Sequence, residues 1–331
     1  MSEVEKLVGN IQSILPDSIL LSMVDLSGSI NHEMIRVFEK HLRRIASRFP
    51  DGKIPKLVLL LHTYGGNQPA ARAIGALLKE FTSDFQVIVP IRAMSSGTLL
   101  SLAANKIWMS SGSLLSPIDP TIESFAGKQF QKPVSVEDLK ALFFETELSA
   151  IDRTEIVKKI INQGDPLALG QALRAHKQIK RFAKEFLSER LTGKELLKTV
   201  NLLTGEWGTH DNPITREDAR TLFKLPVEDM PASLIEASQS LVDLLKQELS
   251  VIENQTIIEV MKKVKYGQCQ AFDGRHCVIH SEIGGMDILF AKADFYKVGF
   301  NDRDFQQIGY KLQWKEKSMG VSGVLSKFLK D

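Results

Sequence analysis

The sequence predicts an α/β protein built on a parallel sheet with helices on both faces. Three observations carry this reading. Short apolar strands alternate with amphipathic helices through the first two-thirds of the chain. The segment Leu57-Val-Leu-Leu-Leu has no polar alternation, as expected of a strand buried on both sides. Two of the strands end in glycine-bearing turns that open helices, the order of strand–crossover–strand units.

Taken in order, Ser18–Val24 reads as the first strand and Asp25-Leu-Ser-Gly-Ser as the turn after it. A helix starts at Asn31, a residue suited to capping, with Met34, Ile35, Val37, Phe38, Leu42 and Ile45 at helical spacing. Lys56–His62 is the second strand, followed by a helix over Gln68–Phe81. Phe85–Pro90 is the third strand, and a helix is predicted over Leu99–Asn105. Lys106–Met109 and Ser113–Leu115 read as short strands. Beyond Pro120 the character changes: Thr121–Pro133 reads as a loop, and helices are expected over Ser135–Leu148, Leu167–Leu191 and Thr192–Leu203. Thr215-Arg-Glu-Asp opens a further capped helix ending near Leu222.

From Pro231 to about Lys265 a long helix is expected, with Leu234, Leu241, Leu245, Leu249 and Ile252 on one stripe. Such a stripe packs on its own domain or on a second subunit. The remainder is β-rich, and Asp273-Gly274 carries the signature of a tight hairpin turn. These readings divide the chain into a main domain over residues 1–230, a helix over 231–265 that is a candidate for oligomerisation, and a β-rich segment over 266–331.

The 331 residues are 43% hydrophobic and 25% charged, the composition of an ordinary folded protein. With 42 Lys and Arg against 40 Asp and Glu, there is no global field to hold a nucleic-acid backbone. The apolar runs near the start, Ile19–Val24 and Leu57–Leu61, are too short to span a bilayer. Met1-Ser-Glu-Val-Glu-Lys lacks the order of a secretory signal, and two cysteines do not make a disulfide framework. A cytoplasmic setting is the expectation.

Chemistry is expected at the two glycine-bearing turns, His62-Thr-Tyr-Gly65-Gly66-Asn67 and Ala93-Met-Ser95-Ser96-Gly97-Thr98. Each follows a buried strand and presents backbone N–H groups at a helix start. Side by side in a parallel sheet they would form an oxyanion hole beside Ser95. Neither G-x-G-x-x-G nor G-x-x-x-x-G-K-[ST] occurs, so no nucleotide cofactor is expected.

The stretch Leu57–Pro120 resembles the Clp/crotonase superfamily of serine peptidases, which includes the Clp protease subunit and signal peptide peptidase A. Gly65-Gly66 is similar to its first oxyanion turn, Ser95-Ser-Gly-Thr to its nucleophile turn, and Ser113-Leu-Leu-Ser-Pro-Ile-Asp119-Pro120 to the segment after the nucleophile helix. His210-Asp-Asn-Pro-Ile resembles one branch, the serine dehydrogenase proteinase family. Two departures stand out: Ser116 where glycine is common, and Phe223-Lys224 where glycine would end a helix. The resemblance implies a serine endopeptidase with Ser95 as nucleophile, backbone N–H groups of Gly66 and Ser96 as oxyanion donors, and a homo-oligomer acting on a peptide or protein substrate.

The general base stays open between two readings. In the first, His210 takes the proton from Ser95 and Asp119 orients it, since such triads are recognised by geometry and not by chain order. In the second, a lysine serves, as the resemblance to signal peptide peptidase A implies; Lys128, Lys132 and Lys140 lie in the right region, with Lys140 on an expected helix. His62 reads as structural or adjacent to substrate. A crotonase-type acyl-CoA enzyme and a catalytically silent scaffold are the competing functions. Cys269, His276, Cys277 and His280 suggest zinc, but the hairpin alternation expected there keeps the four from converging, and no metal is expected.

Overall fold

The computed structural model describes residues 2–26, 30–125, 128–135, 166–247, 269–281, 285–297 and 305–317. Three predominantly apolar strands form its centre: β1 (Ile19–Asp25), β2 (Leu57–His62) and β3 (Phe85–Val89), buried at every residue. They lie parallel to one another, and β5 (Lys106–Met109) and β10 (Val227–Asp229) extend the parallel sheet beyond β3. Burial on both faces is why these segments lack polar alternation.

Alternate residues of these strands supply two separate cores. Leu21, Met23, Leu57, Leu59 and Leu61 face a layer that includes α2 (His32–Ala46), α3 (Gln68–Phe81), α4 (Ser96–Ser101), α5 (Pro166–Leu187) and α6 (Gly193–Asn201). Leu20, Val24, Val58, Leu60 and Ile88 face the opposite layer, formed by α1 (Glu3–Ile14) and α8 (Ala232–Gln247). Asn31 caps α2 by accepting from the N–H groups of Glu33 and Met34. Thr215 and Asp218 form a reciprocal capping box at the start of α7 (Arg216–Thr221).

Three expectations are corrected, one helix is added, and one open reading is decided. The helix after Ser95 begins at Ser96, not Leu99, because Ser-Gly-Thr forms its first turn. The segment Thr121–Pro133, read as a loop, falls largely within an antiparallel pair of β7 (Thr121–Phe125) and β8 (Lys128–Ser135). In a two-stranded pair both strands are edges, so Pro133 removes no obligatory ladder bond. Helix α1 escaped the sequence reading, although Val4, Val8 and Ile11 carry its buried stripe. The apolar stripe of α8 is not a free surface: Leu234, Leu241 and Leu245 are fully buried within the subunit, in one core with Val4, Val8 and Ile11 of α1. Leu249, Ile252 and the expected helix over Ser135–Leu148 lie outside the described residues, apart from Ser135 itself.

The third correction concerns the C-terminal strands. No turn forms at Asp273-Gly274; β11 (Cys269–Ser281) runs straight through it, with Asp273 opposite Lys292 and Gly274 opposite Ala291. The reversal falls between the paired Ser281 and Gly285, leading into β12 (Gly285–Lys297) and then β13 (Phe305–Lys317). A long ladder outweighs the local turn preference of one dipeptide. Nor do these strands stand apart from the main sheet: β11 pairs antiparallel with β1, Asp25 opposite Cys277, giving one eight-stranded sheet in the order β10-β5-β3-β2-β1-β11-β12-β13. Cys269 and Cys277 sit eight residues apart on one strand, roughly 26 Å at ordinary strand rise, so they cannot share a metal ion.

Candidate active site

A small second sheet assembles the site. β4 (Arg92–Ala93) pairs in parallel with β6 (Leu114–Leu115), and β6 pairs antiparallel with β9 (Ile214–Thr215). Ser95 follows β4 by two residues, Asp119 follows β6 by four, and His210 precedes β9 by four. The strand directions therefore bring all three to the same end of this sheet, although 115 positions separate the first from the last in sequence.

Ser95 stands on a sharp turn with φ 49° and ψ −112°, a conformation that costs a non-glycine residue about 1–3 kcal/mol. The surrounding hydrogen bonds hold it there. The Ser95 N–H donates to Ser116 Oγ at 2.7 Å, and the Gly97 N–H donates to the Met94 carbonyl at 2.7 Å. Ser116 is anchored in turn: its own N–H donates to Thr98 Oγ1, which donates to the Ala93 carbonyl. Sequence reasoning treated Ser116 only as a departure from a common glycine. Its side chain instead supplies the acceptor that the strained Ser95 peptide needs. Lys224, the second departure, adopts φ 53°, the left-handed conformation in which glycine is usual.

The turn Gly65-Gly66 lies directly against this elbow. A Cβ placed on Gly65 would sit 3.0 Å from the Met94 carbonyl oxygen, 3.0 Å from Ser95 Cβ and 3.2 Å from the Ser96 nitrogen. Gly65 and Gly66 have φ 114° and 133°, so the backbone favours glycine at both positions, and at Gly65 the space requires it as well. A parallel bridge to Ile30 uses the Gly65 carbonyl and the Asn67 N–H; the Gly66 N–H takes no part in it. Ser96 Oγ donates to the Gly66 carbonyl at 2.6 Å, which fastens one turn to the other.

Asp119 is buried and lies 2.8 Å from His210, Oδ1 to Nδ1. Burial disfavours the imidazolium, but the hydrogen bond and charge of Asp119, aided by Asp211, prevail and raise the His210 pKa above 6.5. Gln68 Nε2 donates to the Ile118 carbonyl, tying the Asp119 loop to the start of α3. His62 is buried, and burial together with the charges of Lys246 and Arg92 pushes its pKa down to about 4, so it is neutral. Lys140 lies outside the described residues.

A second Ser–His–Asp set was not foreseen. His41 of α2 lies 2.6 Å from Ser281 Oγ through Nδ1 and 3.0 Å from Asp287 Oδ2 through Nε2, and Lys40 Nζ meets the same carboxylate at 2.5 Å. His41 and Ser281 are fully buried, and Asp287 almost so. A solvent-borne substrate has no route to a nucleophile in that position. The set acts as a polar clamp between α2 and the β11–β12 pair, the type of fully partnered buried network that fixes one docking of two elements.

The chain belongs to the ClpP-like SDH-type serine proteinase family, whose profile it matches over residues 31–272. Two uncharacterised proteins of Methanocaldococcus jannaschii are similar to it. One is 32% identical over 210 residues, covering 63% of this chain and 64% of the relative. The other is 32% identical over 159 residues, covering 47% of each. The chain thus spans about half to two-thirds of the length of these relatives. Among solved structures, a 1510-N membrane-bound stomatin-specific protease in complex with a substrate peptide aligns with 64% of this chain and 75% of its own, at 16% identity and a TM-score of 0.40. ClpP1 from Listeria monocytogenes aligns with 70% of this chain and 98% of its own, at 15% identity and a TM-score of 0.38. Among the described residues no helix is long and apolar enough to cross a membrane.

Proposed function

We propose that the protein is a serine peptidase that hydrolyses peptide bonds through an acyl-enzyme on Ser95. The observation that carries this reading is the 2.8 Å contact of buried Asp119 with His210, at the end of the small sheet where the strained Ser95 turn stands. With Nδ1–H donated to Asp119, the tautomer leaves Nε2 unprotonated and able to accept a proton. Ser95 Oγ attacks the scissile carbonyl as its proton passes to Nε2. The imidazolium then protonates the leaving amine. Water, deprotonated by the same nitrogen, releases the acid and restores the serine.

Negative charge develops on the carbonyl oxygen in both half-reactions. The N–H groups of Gly66 and Ser96 are the donors for it, supported by the contact between the two turns and by the bond that fastens them. Labelling with a fluorophosphonate probe tests the reading. Wild type should label and Ser95→Ala should not, while both keep the same thermal unfolding curve. Hydrolysis that survives in Ser95→Ala would exclude the mechanism. Parallel His210→Ala and Lys140→Ala variants identify the base: a dead His210→Ala enzyme supports the triad, and a dead Lys140→Ala enzyme beside an active His210→Ala one supports a Ser–Lys dyad.

A further inference from the structure

The Gly65-Gly66 turn lacks any side chain to restrain it, and glycine enters the observed conformations about as readily as others. Its shape must therefore be imposed from outside. One restraint is the Ile30 N–H, which donates to the Gly65 carbonyl at 3.1 Å. That carbonyl belongs to the same peptide unit as the Gly66 N–H. The other restraint is a buried side-chain relay. The Gly65 N–H donates to Thr63 Oγ1 at 2.9 Å, and the same hydroxyl donates to Asp25 Oδ2 at 2.6 Å.

The relay has a fixed polarity. A hydroxyl has one proton to donate, and here it is donated in the hydrogen bond that Asp25 Oδ2 accepts. The lone pairs of Thr63 Oγ1 are left for the Gly65 N–H, so the plane of the Tyr64–Gly65 peptide has one orientation. Thr63 and Asp25 are both fully buried. Asp25 ends β1 at the centre of the sheet, opposite Cys277 of β11, and Thr63 directly follows β2. The turn is thus referenced to two adjacent inner strands of the sheet.

From this geometry we propose that Asp25 and Thr63 are positioning residues for the oxyanion site, acting as one unit through the Gly65 peptide on the Gly66 N–H. The inference rests on the reading of Ser95 as nucleophile and Gly66 as donor. A group that fixes an oxyanion donor matters chiefly in the transition state, where charge has developed, and little in the ground state. Its loss should therefore fall on kcat and leave KM nearly unchanged.

Thr63 allows the hydrogen bond to be separated from packing. Thr63→Val keeps the shape and removes the hydroxyl; Thr63→Ser keeps the hydroxyl and removes the methyl. With full-length protein and a fluorogenic peptide cleaved by wild type, Thr63→Val should lower kcat by about 10–100-fold, the scale of a misplacement of about 1 Å, with KM within about twofold. Affinity for a peptide aldehyde, which places an oxyanion in the same hole, should fall by the same factor. Thr63→Ser should restore kcat. Asp25→Asn should lower kcat in the wild-type background and add no further loss on top of Thr63→Val, as members of one unit do. A Thr63→Val enzyme with wild-type kcat, or a Thr63→Ser enzyme as impaired as Thr63→Val, overturns the proposal. Ser95→Ala separates this failure from a failure of the functional reading. If it is inactive while Thr63→Val is fully active, only the positioning role falls; if it is active, the reading of the site falls with it.

Discussion

Gly97, in the turn that carries Ser95, should tolerate no side chain. A Cβ there would sit 2.5 Å from Thr63 Cγ2 and 3.3 Å from Ala93 Cβ. The first distance is far inside van der Waals contact, so one partner must move. Thr63 cannot swing its methyl away at low cost, because the same torsion carries the hydroxyl bonded to Asp25 and to the Gly65 N–H. Its β-branched side chain has few alternatives in any case. Overpacking of this kind costs about 1–3 kcal/mol, and the better helix propensity of alanine returns up to about 1 kcal/mol. Gly97→Ala should therefore lose about 1–2 kcal/mol, measured by urea unfolding with an unchanged m-value. The corresponding drop in Tm is about 2–4 °C per kcal/mol. Thr63→Ser removes the obstructing methyl while keeping the hydroxyl, so the double variant Gly97→Ala/Thr63→Ser should regain most of what Gly97→Ala loses. Wild-type stability in the single variant, or no recovery in the double, refutes this account of the glycine.

Two further outcomes follow from charge. Because the His210 pKa is raised above 6.5, the imidazole becomes a base only at higher pH, and kcat/KM should rise with pH along a limb centred above 6.5. Asp119→Asn removes the main group that favours the imidazolium and leaves only the Asp211 charge against burial, so the limb should shift to lower pH while activity falls; an upward shift would contradict the assignment. In the clamp, burial opposes the Asp287 carboxylate, but bonds and charges from His41 and Lys40 prevail and hold its pKa below 3.8. A carboxylate depressed in the folded state contributes stability above its unfolded pKa, and that contribution disappears as pH falls through the folded value. Stability to urea should thus decline below about pH 4, and Asp287→Asn should flatten that decline at the cost of lower stability at neutral pH. An equally steep acid limb in the variant would show that the clamp is not responsible.

Much of the architecture was legible because its signals are local. Continuous burial left Leu57–His62 and Phe85–Val89 without regular polar alternation, and helical spacing with Asn31 or Thr215 in front marked α2 and α7. The turns at Gly65-Gly66 and Ser95-Ser-Gly-Thr stood out because close backbone approach and positive φ leave small residues as the main choice. Other features needed the folded chain. Asp273-Gly274 has the residues of a turn, yet pairing along β1 and β12 keeps it extended, because ladder energy depends on partners far away in sequence. Asp119 and His210 could be nominated by residue type, but their 2.8 Å contact arises only where β6 meets β9. Ser116, Thr63, Asp25 and the His41–Ser281–Asp287 clamp have no local signature. A serine, a threonine or an aspartate acquires a structural task only from the partner it meets, and Ser116–Ser95, Thr63–Asp25 and His41–Asp287 meet across 21, 38 and 246 positions. Backbone preference and hydrophobic period are properties of neighbouring residues and can be read in order along the chain. Hydrogen-bond partnership between distant side chains is a property of the packed sheet, and the tertiary structure alone decides it.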